Sequence, residues 1–146
     1  MKKDKFDWDN WFLGLADYIA TASKDPSTKV GAVIIDQDKR IVSMGYNGFP
    51  RGIEDSDERL NNRDVKYKMI IHAEANAILF ATKSLENCTL YTTPIMPCAA
   101  CASMIIQKGI KRVVSTYSEN SRWIEQFKLS EKIFAEAGVG LTLIHR

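Results

Sequence analysis

Apolar positions along the chain fall into stripes of helical period and short continuous runs. Trp8, Trp11, Phe12, Leu15, Ile19 and Ala22 recur every three or four residues, which predicts a helix packed through that stripe. Asp7 or Asp9 is placed to cap its start, and Asp25-Pro26 lies just beyond its end. Val30 to Ile35 is an almost unbroken apolar run, as a strand covered on both faces requires. The polar turn Asp36-Gln37-Asp38-Lys39-Arg40 then leads into Ile41 to Tyr46, the returning strand of a hairpin. Ala73 to Lys83 predicts a helix apolar on nearly every side, hence a buried central one. Beyond it the pattern gives a strand from Thr89 to Thr92 and a helix from Cys98 to Lys108, closed by Gly109. A strand from Lys111 to Thr116, a helix from Ser121 to Ala137 closed by Gly138, and a last strand from Val139 to Ile144 complete it. Strands and helices alternate after the opening hairpin. The expected class is therefore α/β, a mixed five-stranded sheet flanked by helices, its last two strands parallel through a right-handed crossover.

Two stretches fall outside these patterns. Gly45-Tyr46-Asn47-Gly48-Phe49-Pro50-Arg51-Gly52 holds three glycines and a proline in eight residues, which predicts a loop with unusual backbone angles. Glycine content leaves two readings open, a structural turn or a backbone-amide cradle for a phosphate or base. Ile53 to Met69 is rich in charge and reads as solvated surface, a long loop or short helix lying over a site.

Composition narrows the class without naming a chemistry. The 146 residues fit one domain, residues 1–146, with 45% apolar and 26% charged residues. There is no apolar run of membrane-spanning length, and the Met-Lys-Lys-Asp start lacks the core of a signal peptide. The expected location is cytoplasmic, with no membrane partner. Three cysteines, an odd number, argue against a disulfide framework. A net charge of +2 with signs interspersed gives no nucleic-acid footprint.

The chemistry resides in His72-Ala73-Glu74 and Pro97-Cys98-Ala99-Ala100-Cys101. Cys98 and Cys101 are three apart at a predicted helix start, so both thiols project from one face, where the helix terminus favours thiolate. Two thiolates and one imidazole supply three corners of a zinc tetrahedron and leave the fourth to water. Glu74 would be the catalytic proton carrier. Residues 72 and 74 are about 200° apart on a regular helix, so they converge only if the chain is still entering the helix there. A structural zinc site would need a fourth protein ligand, and the candidates are poor: Cys88 precedes a strand and His145 sits next to the C-terminal residue. Cys88 reads as an ordinary buried thiol. His-x-Glu followed by Pro-Cys-x-x-Cys is the known signature of zinc nucleobase deaminases.

The chain resembles the deoxycytidylate (dCMP) deaminases of the cytidine-deaminase-like superfamily. The matching pieces are Ser23-Lys24-Asp25-Pro26, Lys29-Val30-Gly31-Ala32-Val33, the Gly45 to Gly52 loop, His72 to Ile78, Pro97 to Cys101, and Gln107-Lys108-Gly109-Ile110-Lys111. The resemblance implies a three-layer cytidine-deaminase-like fold and zinc-dependent hydrolysis of dCMP to dUMP and ammonia. It implies zinc on His72, Cys98 and Cys101, with Glu74 as acid and base. Asn47 then matches the residue that touches the deoxyribose, Ser23 and Lys29 match positions near the phosphate, and Tyr117 lines the pocket. The family is typically a homohexamer, activated by dCTP and inhibited by dTTP with Mg²⁺; Asn47, Arg51, Gly52 and Glu54 are the residues that would serve the effector. Some members carry a second, structural zinc on cysteines that this chain lacks, so one zinc per chain is expected. The rival enzymes are a tRNA or single-stranded DNA deaminase and a cytidine or dCTP deaminase. The non-enzyme rival is a zinc-bearing nucleotide sensor, which would not need Glu74.

Overall fold

Asp7 caps the first helix, α1 (Trp8–Ala20), its carboxylate accepting the Asn10 N–H at 3.1 Å. The computed structural model describes residues 5–118 and 121–146. The face that α1 buries is Phe12, Leu13, Ala16 and Ala20, whereas Trp8 and Trp11 are 41% and 50% exposed. This corrects the predicted stripe. The physical reason is the close approach of α1 to β1 (Gly31–Ile35): a Cβ on Gly31 would lie 2.0 Å from the Ala16 carbonyl oxygen and 2.7 Å from the Ala20 nitrogen. Small residues must face the strand there, and the tryptophans pack against each other and Phe12 at the rim.

β1 pairs antiparallel with β2 (Ile41–Tyr46) on one side and with β3 (Thr89–Thr93) on the other. β4 (Arg112–Thr116) and β5 (Gly140–Ile144) continue the sheet parallel to β3, giving the order β2-β1-β3-β4-β5. Parallel pairing thus begins one strand earlier than the last two. Alternation along the strands builds two cores. Val33, Ile35, Tyr91 and Val114 meet α1, while Ala32, Ile34, Leu90 and Val113 share a second cluster with α4 (Ala73–Phe80), α5 (Ala99–Gln107) and α6 (Ile124–Ala137). The three layers are those expected. Asp9, the other candidate cap, instead bridges α1 to the sheet. It accepts both Arg112 Nη atoms, at 3.0 and 2.6 Å, and the Tyr91 hydroxyl at 2.7 Å. The Arg112 bonds hold the Asp9 carboxyl below the usual carboxylate range.

Four local expectations change. α4 ends at Phe80 rather than Lys83, because the chain turns extended at Ala81 to deliver Leu85 into the core, and Leu79 and Phe80 are left exposed. The charged stretch forms two short helices, α2 (Asp57–Asn61) and α3 (Arg63–Met69), capped by Ser56 and Asn62. In the glycine loop only Gly52 has a positive φ, +83°; Gly45 instead permits contact with α4, since its Cβ would meet the Ala77 nitrogen at 2.6 Å. Ser121–Trp123 is a 3₁₀ turn ahead of α6, not its first turn. No helix among the described residues is long and apolar enough to cross a membrane.

Gly31→Ala is expected to lower stability by about 1–3 kcal/mol or more, since backbone atoms must move to admit the methyl group. Gly14→Ala, on the exposed side of α1 with nothing within 4 Å, should raise it by about 0.5–1 kcal/mol. Urea denaturation of both variants checks the pair.

Candidate active site

His72 and Cys98 occupy equivalent places, the N-cap positions of α4 and α5, with extended backbones (ψ 156° and 171°) and no side-chain cap bond. N-caps usually take Ser, Thr, Asp or Asn because the side chain satisfies a free N–H. Leaving that bond unmade frees the imidazole and the thiol for other work. Cys101 follows one turn into α5, and Glu74 is the second residue of α4. The chain is therefore still turning into the helix at His72, as convergence with Glu74 requires.

His72 Nδ1 lies 3.5 Å from Cys98 Sγ and 3.4 Å from Cys101 Sγ. Usual Zn–N and Zn–S lengths in a tetrahedron set such separations at about 3.5 Å. The three residues form the one potential metal group among the described residues, graded from an exposed imidazole through Cys98 to the buried Cys101. The donor set and spacing fit zinc. Cys88 stays in the core, 2% exposed, and has no place in the group. The two thiols share one thiolate: a hydrogen bond from Cys101 pulls Cys98 down to about 4, and the same bond pushes Cys101 up. The thiolate beside His72 raises the imidazole pKa. Glu74 is 4% exposed, and burial lifts its carboxyl to about 7.

Hydroxyl groups hold the supporting chain in place. Ser130 of α6 donates to the Pro97 carbonyl at 2.8 Å, and Thr116 donates to the Pro94 carbonyl at 2.7 Å, so the segment delivering Cys98 is tied at both ends. On the other side Ser43 bonds the Ala77 carbonyl and Asn76 the Tyr46 carbonyl, which seats α4 against β2.

A cavity of about 100 Å³ opens beside His72, Glu74 and Cys98. Asn47 lines it, with its amide fully oriented: Oδ1 accepts the Val30 N–H at 2.9 Å, and Nδ2 donates to the Thr28 carbonyl at 2.9 Å and to Asp25 at 3.3 Å. Ser23 and Lys29 stand behind Asn47 rather than on the cavity wall. The Ser23 hydroxyl donates to the Asn47 carbonyl at 2.9 Å, and Lys29 Nζ to the Ser23 carbonyl at 2.6 Å. Tyr117 is half-exposed and stacks on His145 with centroids 4.5 Å apart, away from the cavity lining. Arg51 lies over the Phe80 ring in a separate apolar groove between α1, β2 and α4. Gly52 and Glu54 are exposed beside it on the loop, with the Glu54 carbonyl accepting from Arg59.

The cavity also contains residues that no sequence pattern marks as part of a site: Asp25, Lys66, Tyr67, Arg122, Trp123 and Phe127. Asp25 looks like part of a helix stop and Lys66 like solvated charge. No periodicity marks Lys66, which is more buried than the apolar Val65 and Tyr67 flanking it.

A mixed sheet with His-x-Glu and Cys-x-x-Cys at adjacent helix N-termini defines a cytidine-deaminase-like protein. The family profile described as "Cytidine and deoxycytidylate deaminase zinc-binding region" matches residues 6–117, and the chain belongs to that family. An uncharacterized deaminase of Aliivibrio fischeri is 45% identical over 138 residues, covering 92% of each chain. Deoxycytidylate deaminase of Mus musculus is 37% identical over 146 residues, covering 94% of this chain and 80% of the mouse protein. The fold matches dCMP deaminase of cyanophage S-TIM5, solved in complex with dCMP and dUMP, with a TM-score of 0.76 at 23% identity over 97% of this chain and 100% of that one.

Asn47→Ala would strand the buried Val30 N–H and Thr28 carbonyl without partners. The expected loss is about 2–3 kcal/mol of stability, read from the denaturation midpoint.

Proposed function

We propose that the chain hydrolyses dCMP to dUMP and ammonia, one water consumed for each amine released. The observation that carries this reading is Glu74, 4% exposed, on a cavity that also presents His72 and Cys98. A buried carboxylate with no part in the ligand set suits proton transfer rather than metal storage. His72, Cys98 and Cys101 would hold one zinc per chain. When bound, zinc supplies Lewis acidity, which brings the pKa of water near 7.

Glu74 takes one proton of the attacking water and passes it to the ring nitrogen beside the attacked carbon; it then takes the second from the hydroxyl added there and gives it to the departing amine, so that ammonia leaves and the carbonyl forms. A carboxyl lifted toward neutral pH by burial both accepts and returns a proton readily. Asn47 faces the sugar. Both of its amide hydrogens are engaged and Oδ1 has one lone pair left, so it presents an acceptor suited to a hydroxyl. Ser23 and Lys29 brace it from behind, and Tyr117 would reach the substrate only by leaving His145.

The monophosphate is favoured over cytidine, dCTP or a polynucleotide by the mouse relative's name and by the glycine loop. The net charge of +2 offers no basic track for a nucleic acid. The same reading extends to a cytoplasmic homohexamer regulated by dCTP and by dTTP with Mg²⁺. Asn47 on the cavity is followed directly by Gly48 to Arg51 on the groove, so one loop borders both sites. Exposed Tyr18, Met44, Leu79 and Phe80 around that groove suit subunit packing.

Ammonia release compared across cytidine, dCMP, dCTP and an oligonucleotide tests the substrate. dCMP is expected to lead; preference for the oligonucleotide would overturn the reading. Glu74→Gln should lower kcat by about 10²–10⁴-fold while keeping one zinc per chain, and Cys101→Ala should lose the metal. Both are read by elemental analysis beside the assay.

A further inference from the structure

Lys66 is 3% exposed, although Glu54, Glu58, Arg59, Arg63, Asp64 and Lys68 in the same stretch are all at the surface. Its ammonium donates to Asp25 Oδ1 at 3.0 Å and to Ser27 Oγ at 3.0 Å. Asp25, 7% exposed, also accepts the Ser27 N–H at 2.8 Å and, through its other oxygen, the Asn47 amide at 3.3 Å. One carboxylate therefore joins α3, the chain before β1, and the asparagine on the cavity wall.

Among the described helices and strands, the backbone of α3 lies close to that of α2 alone. Apart from the backbone bridge between Gly48 and Ile71 just past its end, its hold on the rest of the molecule is made by side chains: Lys66 on Asp25, and Tyr67 edge-on to Trp123 with its hydroxyl accepting from Arg122. Asp25, Asn47, Lys66 and Tyr67 all line the cavity that contains Glu74. Burying two ions is costly, and an apolar pair of similar volume often stabilises as well or better. What an ion pair adds is a defined position. The charges also cancel, so the pair is a weak receptor for an anion but a strong tie between the two segments.

We propose that Lys66 and Asp25 are positioning residues: their ion pair holds α3 closed over the cavity and so sets the affinity for the substrate. The kinetic part of this inference rests on the proposed dCMP reaction; the docking part does not. Hydrogen exchange is measured on the full-length protein for wild type, Lys66→Met, Asp25→Asn and the double variant, alongside kcat and KM for dCMP. Each single variant leaves an unpaired buried charge. Each should speed exchange in residues 63–70 at least tenfold, with β1, β3 and α4 changed less than twofold. KM should rise at least tenfold, with kcat within threefold. The double variant buries no lone charge and should recover much of both effects, a coupling that independent sites would not show. Unchanged exchange in 63–70, acceleration throughout the molecule, a loss in kcat with KM intact, or no recovery in the double variant would each overturn the inference. Failure to recover KM alone would overturn the claim that the pair sets affinity by holding α3, since Lys66 would then meet the substrate directly. If wild type leaves dCMP untouched, the proposed reaction fails, and the exchange data still decide whether the pair docks α3.

Discussion

His72 and Glu74 stand two residues apart, and within a regular helix they would point about 200° away from each other. Their cooperation depends on a single backbone change: extended at His72, helical from Ala73 onward. The same change occurs at Cys98, one turn before Cys101. Two helices must therefore begin side by side, each with a first residue that withholds its side chain from capping. Substituting a good capping residue at either place would improve the helix and remove a ligand. That is a local conflict of the kind expected where function sets the residue.

The rest of the fold keeps those two helix starts in register. β1 and β3 pair antiparallel at the centre of the sheet, and α5 follows β3 directly through a segment held by Thr116 and Ser130. α4 is seated by the absence of a side chain at Gly45 and by bonds from Ser43 and Asn76. On the opposite face Gly31 lets α1 approach, and Asp9 ties that helix to β3 and β4. Each support lies outside the cavity, and those on α4 and on the segment before α5 act on the distance between the two helix ends.

Much of this is legible in the chain. The apolar strand run, the helix-closing glycines, and the His-x-Glu and Cys-x-x-Cys spacings are local patterns, and local patterns survive folding. What was hidden is what the fold decides. Trp8 and Trp11 sit on the apolar stripe of α1, yet the glycine in β1 selects Phe12, Leu13, Ala16 and Ala20 as the inner face. Lys66 belongs to a charged run and becomes buried through Asp25, 41 residues earlier, a pairing no local window contains. Ser23 and Lys29 lie close to the cavity in sequence terms, but their polar atoms act on the backbone behind Asn47.

The central claim is that His72, Cys98 and Cys101 form an open metal site served by Glu74, not a closed structural one. Anomalous diffraction at the zinc edge, from crystals of the wild-type protein, tests it most directly. The account predicts one peak per chain, within about 2.0–2.3 Å of His72 Nδ1, Cys98 Sγ and Cys101 Sγ, with Glu74 unligated and the fourth position facing the cavity. A peak closed by a fourth protein ligand, or one lying away from these three atoms, would contradict it.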